Sequence, residues 1–285
     1  MQAVIKKSSD FKYPFDGVTQ VKIDCAVHGQ QVLTVPAALI GAARHCPKCV
    51  QETREAKIKK SAEKFIQNYI SESGLPQNSI GKRFTDLDCN KSPKQARIVE
   101  RLIQYIKEMV EAGTADGAKN IMLTGNMGTG KTLYASIVLQ NIARRSLDLN
   151  LESEDIQRKN RLNFAFMSEQ ILMQSITASW SDKAVEKQHK LIDRLCRVPI
   201  LCLDDVGTVT TTQTHLLDAY AIIFDERYKR NLPTIITSNM THDGLRLAVG
   251  SRAADRFLEN GRVIVANFDW QGYRTSDDAD GIEFF

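Results

Sequence analysis

Along the second half of the chain, apolar positions come in short unbroken runs, separated by longer stretches in which they recur every three or four residues. The runs are "NIMLT" (120–124), "FAFMS" (164–168), "PILCLDD" (199–205), "PTIITSN" (233–239) and "RVIVANF" (262–268), and the spacing between them predicts helices over 131–145, 169–180, 212–230 and 251–258. A strand without alternation is buried on both faces, so the pattern predicts an α/β fold whose parallel sheet is covered by helices. Upstream, "SPKQARIVERLIQYIKEMVEAG" places Ile98, Leu102, Ile106 and Val110 on one face of an amphipathic helix. A charged stretch from Val50 to about Ser73 carries Ala56, Ile58, Ala62, Phe65, Ile66, Tyr69 and Ile70 near helical spacing until Gly74 and Pro76 end it. The first 50 residues differ: "VTQVKIDC" and "QQVLTVPA" alternate, as half-exposed strands do. Residues 146–163 are polar and aperiodic, which predicts a surface loop or a short irregular helix, and no internal repeat is visible.

The chain has 285 residues, 42% hydrophobic and 25% charged, enough for one full core and a smaller appended module. No apolar run approaches the ~18–20 residues of a membrane span, and the start lacks a secretory signal pattern, so the expected location is cytoplasmic with no membrane partner. The net charge of +4 permits an anionic partner without requiring one. Among the six cysteines, Cys89, Cys196 and Cys202 are scattered in helix or strand contexts and read as small core residues.

The phosphate-binding pattern G-x-x-x-x-G-K-[ST] is matched by Gly125, Asn126, Met127, Gly128, Thr129, Gly130, Lys131 and Thr132, placed after one predicted strand and before a helix. In that context the glycines let backbone amides curl round an anion, Lys131 reaches the β and γ phosphates, Thr132 ligates Mg²⁺, and the positive end of the helix faces the pyrophosphate. About seventy residues on, "ILCLDDVG" ends a buried strand in two carboxylates. Asp204 is placed to hold the magnesium through its water shell, and Asp205 to orient and deprotonate an attacking water. Asp205 stands where many such ATPases carry the longer Glu. Asn239, at the end of "PTIITSN", can touch both a γ phosphate and that water, or can cap the following turn. Arg252 and Arg256 in "VGSRAADRF" share a helical face; their spacing fits equally an arginine finger and a surface salt bridge.

A second cluster lies in the N-terminal region. Cys25-x₂-His28 and Cys46-x₂-Cys49 provide four ligands suited to tetrahedral Zn²⁺, with His45 as an alternative to His28. About 50 residues with few large apolar side chains cannot hold themselves together by burial, whereas a structural metal can supply on the order of 10 kcal/mol of folding energy.

"LDDVG", "DERYKRNLPTIITSNM", "VGSRAADRF" and "DWQGYR", in this order and spacing, resemble the DnaC-type bacterial and phage replicative helicase loaders, a class of AAA+ ATPases. The likeness covers roughly residues 75–275. It implies a P-loop AAA+ core that uses ATP and Mg²⁺, associates with itself through the ATPase domain, binds single-stranded DNA, and delivers the hexameric replicative DNA helicase onto it. It further implies that Asn239 is the first sensor, that Arg256 is the arginine finger with Arg252 beside it, and that Arg274 of "GYR" is a second sensor for the nucleotide in the same subunit. Loaders of the DnaI type also carry an N-terminal zinc module, which by that likeness is a helicase-docking domain.

The expected organisation is therefore a zinc-binding docking module over 1–50, a basic linker helix over 51–74, the ATPase domain over 75–275 and an acidic tail over 276–285 that ends in two Phe. The basic stretch Arg54, Lys57, Lys59, Lys60 and Lys64 fits DNA phosphates, or simply a solvated helix face. The 146–163 insertion departs from the family pattern. Two alternatives share these motifs, a transposition helper ATPase of the IstB type and a non-catalytic zinc adaptor with a structural nucleotide.

Overall fold

The computed structural model describes residues 18–36, 45–148, 162–178, 188–209, 214–259 and 261–273. The chain divides into two compact units, residues 1–61 and 62–285.

In the first unit, β1 (Val18–Cys25) and β2 (Gly29–Pro36) form an antiparallel hairpin, registered from Val18 opposite Pro36 to Cys25 opposite Gly29. Val21 and Ile23 of β1 and Leu33 and Val35 of β2 are half-buried, and Gln20, Lys22, Asp24, Val32 and Thr34 between and beside them are exposed. The alternation predicted from sequence is present, but it encloses very little: among the described residues of this unit the only buried apolar side chain is Cys46. Helix α1 (Pro47–Glu72) follows, and the boundary between units falls within it. Its buried residues, Ala62, Ile66 and Ile70, all lie in the second half; Arg54, Lys57, Lys59, Lys60 and Lys64 are exposed.

In the second unit, helix α2 (Pro93–Ala112) starts at Ser92, whose hydroxyl accepts from the Lys94 amide while the Gln95 side chain returns to the Ser92 amide. Pro93 suits the first turn, and Gly113 ends the helix at φ +65°. The buried face carries Leu102, Tyr105, Ile106, Met109 and Val110, each contributing about 2 kcal/mol on burial. Then come β3 (Asn120–Gly125), α3 (Lys131–Asp148), β4 (Phe164–Ser168), α4 (Glu169–Ala178), α5 (Gln188–Arg197), β5 (Ile200–Val206), α6 (Thr214–Lys229), β6 (Thr234–Ser238), α7 (His242–Val249), α8 (Ser251–Phe257) and β7 (Val263–Phe268). All five strands of this sheet run parallel in the order β4-β5-β6-β3-β7.

The absence of alternation has a direct physical reading. Ile121 and Leu123 of β3 join one buried cluster, with residues of α1, α2 and α3, while Met122 joins another, with residues of α4 to α8. Successive side chains go to opposite faces, and both faces are covered. Two helices escape the periodicity reading, α5 and α7. Gly244 and the eight-residue length hide α7, which Thr241 caps by accepting from the Gly244 amide. Helix α3 continues to Asp148, and residues 149–161 of the polar insertion lie outside the described residues, as do the tail 276–285 and Arg274. No helix among the described residues is long and apolar enough to cross a membrane.

Candidate functional site

The phosphate loop connects β3 to α3. Three of its glycines adopt positive φ, Gly125 at +127°, Gly128 at +72° and Gly130 at +95°. At Gly125 the need is steric as well: a Cβ would stand 2.3 Å from the Phe268 carbonyl oxygen. Lys131 is buried, and its Nζ donates to the Gly125 and Asn126 carbonyls at 3.0 and 2.6 Å. Thr129 Oγ1 donates to the Asn126 carbonyl, and Met127 is exposed at the tip. The loop is braced from behind by the end of β7 and the "DWQGY" segment. The Asn126 amide donates to Phe268 O at 2.9 Å, Asn126 Nδ2 to Trp270 O at 3.3 Å, and the Tyr273 amide to Gly128 O at 2.9 Å. Gln95 Nε2 in turn donates to the Tyr273 hydroxyl at 2.6 Å, and the Lys91 ammonium lies over the Tyr273 ring.

The carboxylates meet the loop across the sheet. Thr132 Oγ1 donates to Asp204 Oδ1 at 2.8 Å, and Thr237 Oγ1 donates to the same oxygen at 2.6 Å. Burial lifts the Asp204 carboxyl above its usual range, and the bonds from Thr237 and Thr132 and the nearby Lys131 charge oppose that shift. Asp205 is exposed beside it, at φ +55°, where the ladder to β6 breaks between Leu203 and Val206. A left-handed Asp costs on the order of 1–2 kcal/mol, a conformation that surrounding bonds must hold. Asn239 is exposed at the end of β6, in a cleft of about 620 Å³ that Thr124, Gly125, Asn126, Met127 and Met240 also line. The candidate residues Gly125 to Thr132, Asp204, Asp205 and Asn239 thus gather at one edge of the sheet, its carboxyl ends, where α/β folds bind ligands.

Arg252 and Arg256 do not join them. Arg252 lies 3.4 Å and Arg256 3.5 Å from Asp225 Oδ1 on α6, and the Arg256 guanidinium stacks on Tyr228. The end of α8 sits at the opposite sheet edge, since Asn120 Nδ2 at the start of β3 donates to Phe257 O at 2.8 Å. The length of β3, about 16 Å, therefore separates the end of this helix from the phosphate loop of its own chain.

The second cluster is compact. One ligand atom from each of Cys25, His28, Cys46 and Cys49 lies within 4.8 Å of all the others, and His45 is exposed and outside the group. His28 Nδ1 is 3.3 Å from Cys49 Sγ, while His28 Nε2 is 2.9 Å from Glu52 Oε1, the carboxylate partner that fixes the orientation of a ligating imidazole. The backbone amides of His28 and Val27 pull the Cys25 thiol down to about 6; its neighbour Cys49 is pushed up to about 12, chiefly by Cys25. One easily ionised thiol among crowded sulfurs and an oriented imidazole form a donor set that suits zinc. Of the remaining cysteines, Cys196 and Cys202 are buried and Cys89 half-buried.

Two residues near the site carry no motif signal. Thr237 bridges the acid pair, donating to Asp204 and accepting from the Asp205 amide at 2.9 Å. Glu169 is buried at the start of α4 and gathers the turn after Asp205. A threonine inside a buried strand is a faint cue, because a buried hydroxyl needs a partner. Glu169 meets residues 38 to 40 positions away, a distance that no local pattern encodes.

No protein-family model matches the chain. Among curated proteins it is similar to the replicative helicase loader DnaI of Bacillus subtilis (strain 168), 20% identical over 190 residues, which cover 67% of this chain and 54% of DnaI. The match thus spans about half the length of that relative. It is also similar to the replicative helicase loader DnaC of Buchnera aphidicola subsp. Acyrthosiphon pisum (strain APS), 20% identical over 220 residues, 77% of this chain and 80% of that protein. Among solved structures, a crystal structure of DnaI aligns with a TM-score of 0.51 at 18% identity, covering 70% of this chain and 94% of that one. The fold shared with that structure is a parallel sheet with a phosphate loop, covered by helices, and the curated relatives are replicative helicase loaders, DnaI and DnaC, of the kind the motifs resemble.

Proposed function

We propose that this protein is an ATP-dependent loader that binds a replicative DNA helicase and single-stranded DNA and delivers the one onto the other. The observation that carries the reading is the junction of Thr132 with Asp204, 72 residues apart and 2.8 Å from each other, at the mouth of a glycine loop in a chain similar to helicase loaders. Gly125 to Thr132 cradle the triphosphate, with Lys131 leaving its two carbonyl partners for the phosphates. Thr132 and Asp204 would hold Mg²⁺, Thr132 directly and Asp204 through its water shell, and the ion would neutralise charge on the phosphates. Asp205 positions and deprotonates the water, and Asn239 watches the γ phosphate. Magnesium-bound ATP supplies the phosphoanhydride bond to be broken. Arg252 and Arg256, remote from their own phosphate loop, serve the nucleotide of a neighbouring copy, and Arg274 is the second sensor. ATP thereby favours assembly, and hydrolysis favours departure.

The organisation proposed with this is a zinc-held, helicase-docking module over 1–50 with Cys25, His28, Cys46 and Cys49 as ligands, a basic linker over 51–74, the ATPase over 75–275 and an acidic tail. Phosphate release with and without single-stranded DNA, together with capture of a replicative helicase, tests the reading. Lys131→Ala is expected to lower release at least about 100-fold, and Arg256→Ala about 1000-fold in the assembled state. Both variants hydrolysing ATP and loading helicase like the parent would overturn it.

A further inference from the structure

The Glu169 carboxylate makes more bonds to the region around Asp205 than any candidate site residue does. Oε2 accepts from the backbone amides of Gly207, Thr208 and Val209 at 2.9, 2.8 and 2.9 Å, and Thr208 Oγ1 lies near it at 3.4 Å. Oε1 accepts from the Tyr220 hydroxyl of α6 at 2.8 Å. Every partner is a donor, so the side chain works only as an acceptor, and Glu169 and Tyr220 are both buried.

The bonds lead to Asp205 by a short path. Thr208 Oγ1, held near Glu169, donates to the Asp205 carbonyl at 2.9 Å, and the Asp205 amide donates to Thr237. The backbone of Asp205 is thus gripped on one side by Thr237 and on the other by Thr208, which Glu169 fixes. Such a grip accounts for an exposed aspartate kept at φ +55° at the end of its strand. Gly207 completes the turn at φ +90°, a left-handed conformation that favours glycine.

We infer that Glu169 is a positioning residue of the ATPase site, tying the turn Gly207–Val209 to α4 and α6 so that Asp205 is held where it acts on the water. This rests on the reading of the chain as an ATPase. The shorter arm of Asp at this position makes the backbone placement decisive, since a displacement of about 1 Å can cost 100-fold in rate.

The test compares Glu169→Ala, Glu169→Gln and Thr208→Val with the parent in the full-length protein. Steady-state phosphate release, binding of a fluorescent ATP analogue, and amide hydrogen exchange without nucleotide are measured for each. Glu169→Ala is expected to lower kcat by about 10- to 100-fold, with KM and analogue affinity changed by no more than about twofold. Thr208→Val is expected to lose about 3- to 10-fold in kcat, since it breaks only the hydroxyl link. Glu169→Gln should stay within about threefold of the parent, because its amide oxygen still accepts from the three N–H groups and the Tyr220 hydroxyl turns to accept from the new NH₂. Amides 207–209 should exchange faster in Glu169→Ala while those of β3 keep their protection.

A folded Glu169→Ala protein with parental kcat, a loss confined to KM, or unchanged exchange at 207–209 overturns the inference. If Glu169→Ala does not fold, Thr208→Val decides, and parental turnover overturns it. A parent that releases no phosphate, with DNA or without, overturns the ATPase reading and this inference with it. An active parent matched by its variants overturns the inference alone.

Discussion

The two compact units are held together by different means. Residues 62–285 surround a sheet with Ile121, Met122, Leu123, Ile200, Leu201 and Leu203 all fully buried, whereas among the described residues of 1–61 only Cys46 is a buried apolar side chain. The hairpin of the smaller unit satisfies its backbone and alternates correctly, yet a two-stranded ribbon with one half-covered face is marginal in water. What converges there instead is a set of candidate metal ligands whose donor atoms lie within 4.8 Å of one another. One unit is stabilised by area removed from water; with the proposed zinc bound, the other is held by a few coordinate bonds. The first kind of stability is spread over dozens of side chains and the second is concentrated in four.

The largest expected effect follows from that concentration. Removing the proposed zinc with a strong chelator should withdraw on the order of 10 kcal/mol from the smaller unit alone. Amides of β1 and β2 would then exchange freely, while the melting of the larger unit would be unchanged. Atomic absorption on the purified protein should find one zinc per chain, and Cys46→Ser with Cys49→Ser should reproduce the chelator's effect. Two units that melt together, or strands that keep their protection without metal, would break the contrast.

A smaller effect is expected from a single backbone position in the larger unit. Gly125→Ala must place a methyl 2.3 Å from Phe268 O at φ +127°, so either the phosphate loop or β7 moves. Strain and lost bonds together should lower the urea midpoint by the equivalent of about 3 kcal/mol or more, with the slope unchanged. An unaltered midpoint would mean that the loop is less closely packed on Phe268 than the structure has it.

How much of this was legible beforehand follows the same division between local and distant encoding. The strands, the phosphate loop and the Asp204–Asp205 pair are written in contiguous residues whose physics is local: apolar runs, glycines that must turn, acids at a strand end. The four candidate ligands were legible as two close pairs, and of the two histidines it is His28 whose Nδ1 lies among the sulfurs. Thr237, Glu169 and the brace formed by Gly272 and Tyr273 behind Gly128 were not legible, because each acts on a segment brought near only by the fold. The spacing of Arg252 and Arg256 announced a shared face and left open what they meet. Within the chain, that partner is Asp225.

That pair provides the smallest effect and the sharpest use of the contrast. Arg252 is 71% exposed and reaches Asp225 at 3.4 Å, an ion pair in which water screens most of the attraction. Asp225 is held below the usual carboxylate range first by Lys229 and only afterwards by Arg252, so it keeps a cation when Arg252 is removed. Arg252→Ala should therefore shift the stability of the larger unit by less than about 0.5 kcal/mol, the same as Val32→Ala on the exposed face of β2 in the smaller one. If the arginine acts on a neighbouring copy, the two substitutions separate in a different assay: ATP-dependent self-association, followed by sedimentation, should weaken for Arg252→Ala and stay unchanged for Val32→Ala. An Arg252→Ala protein that is destabilised by several kcal/mol would make Asp225 the reason for this residue; one that is both stable and fully able to assemble would leave Arg256 to act without it.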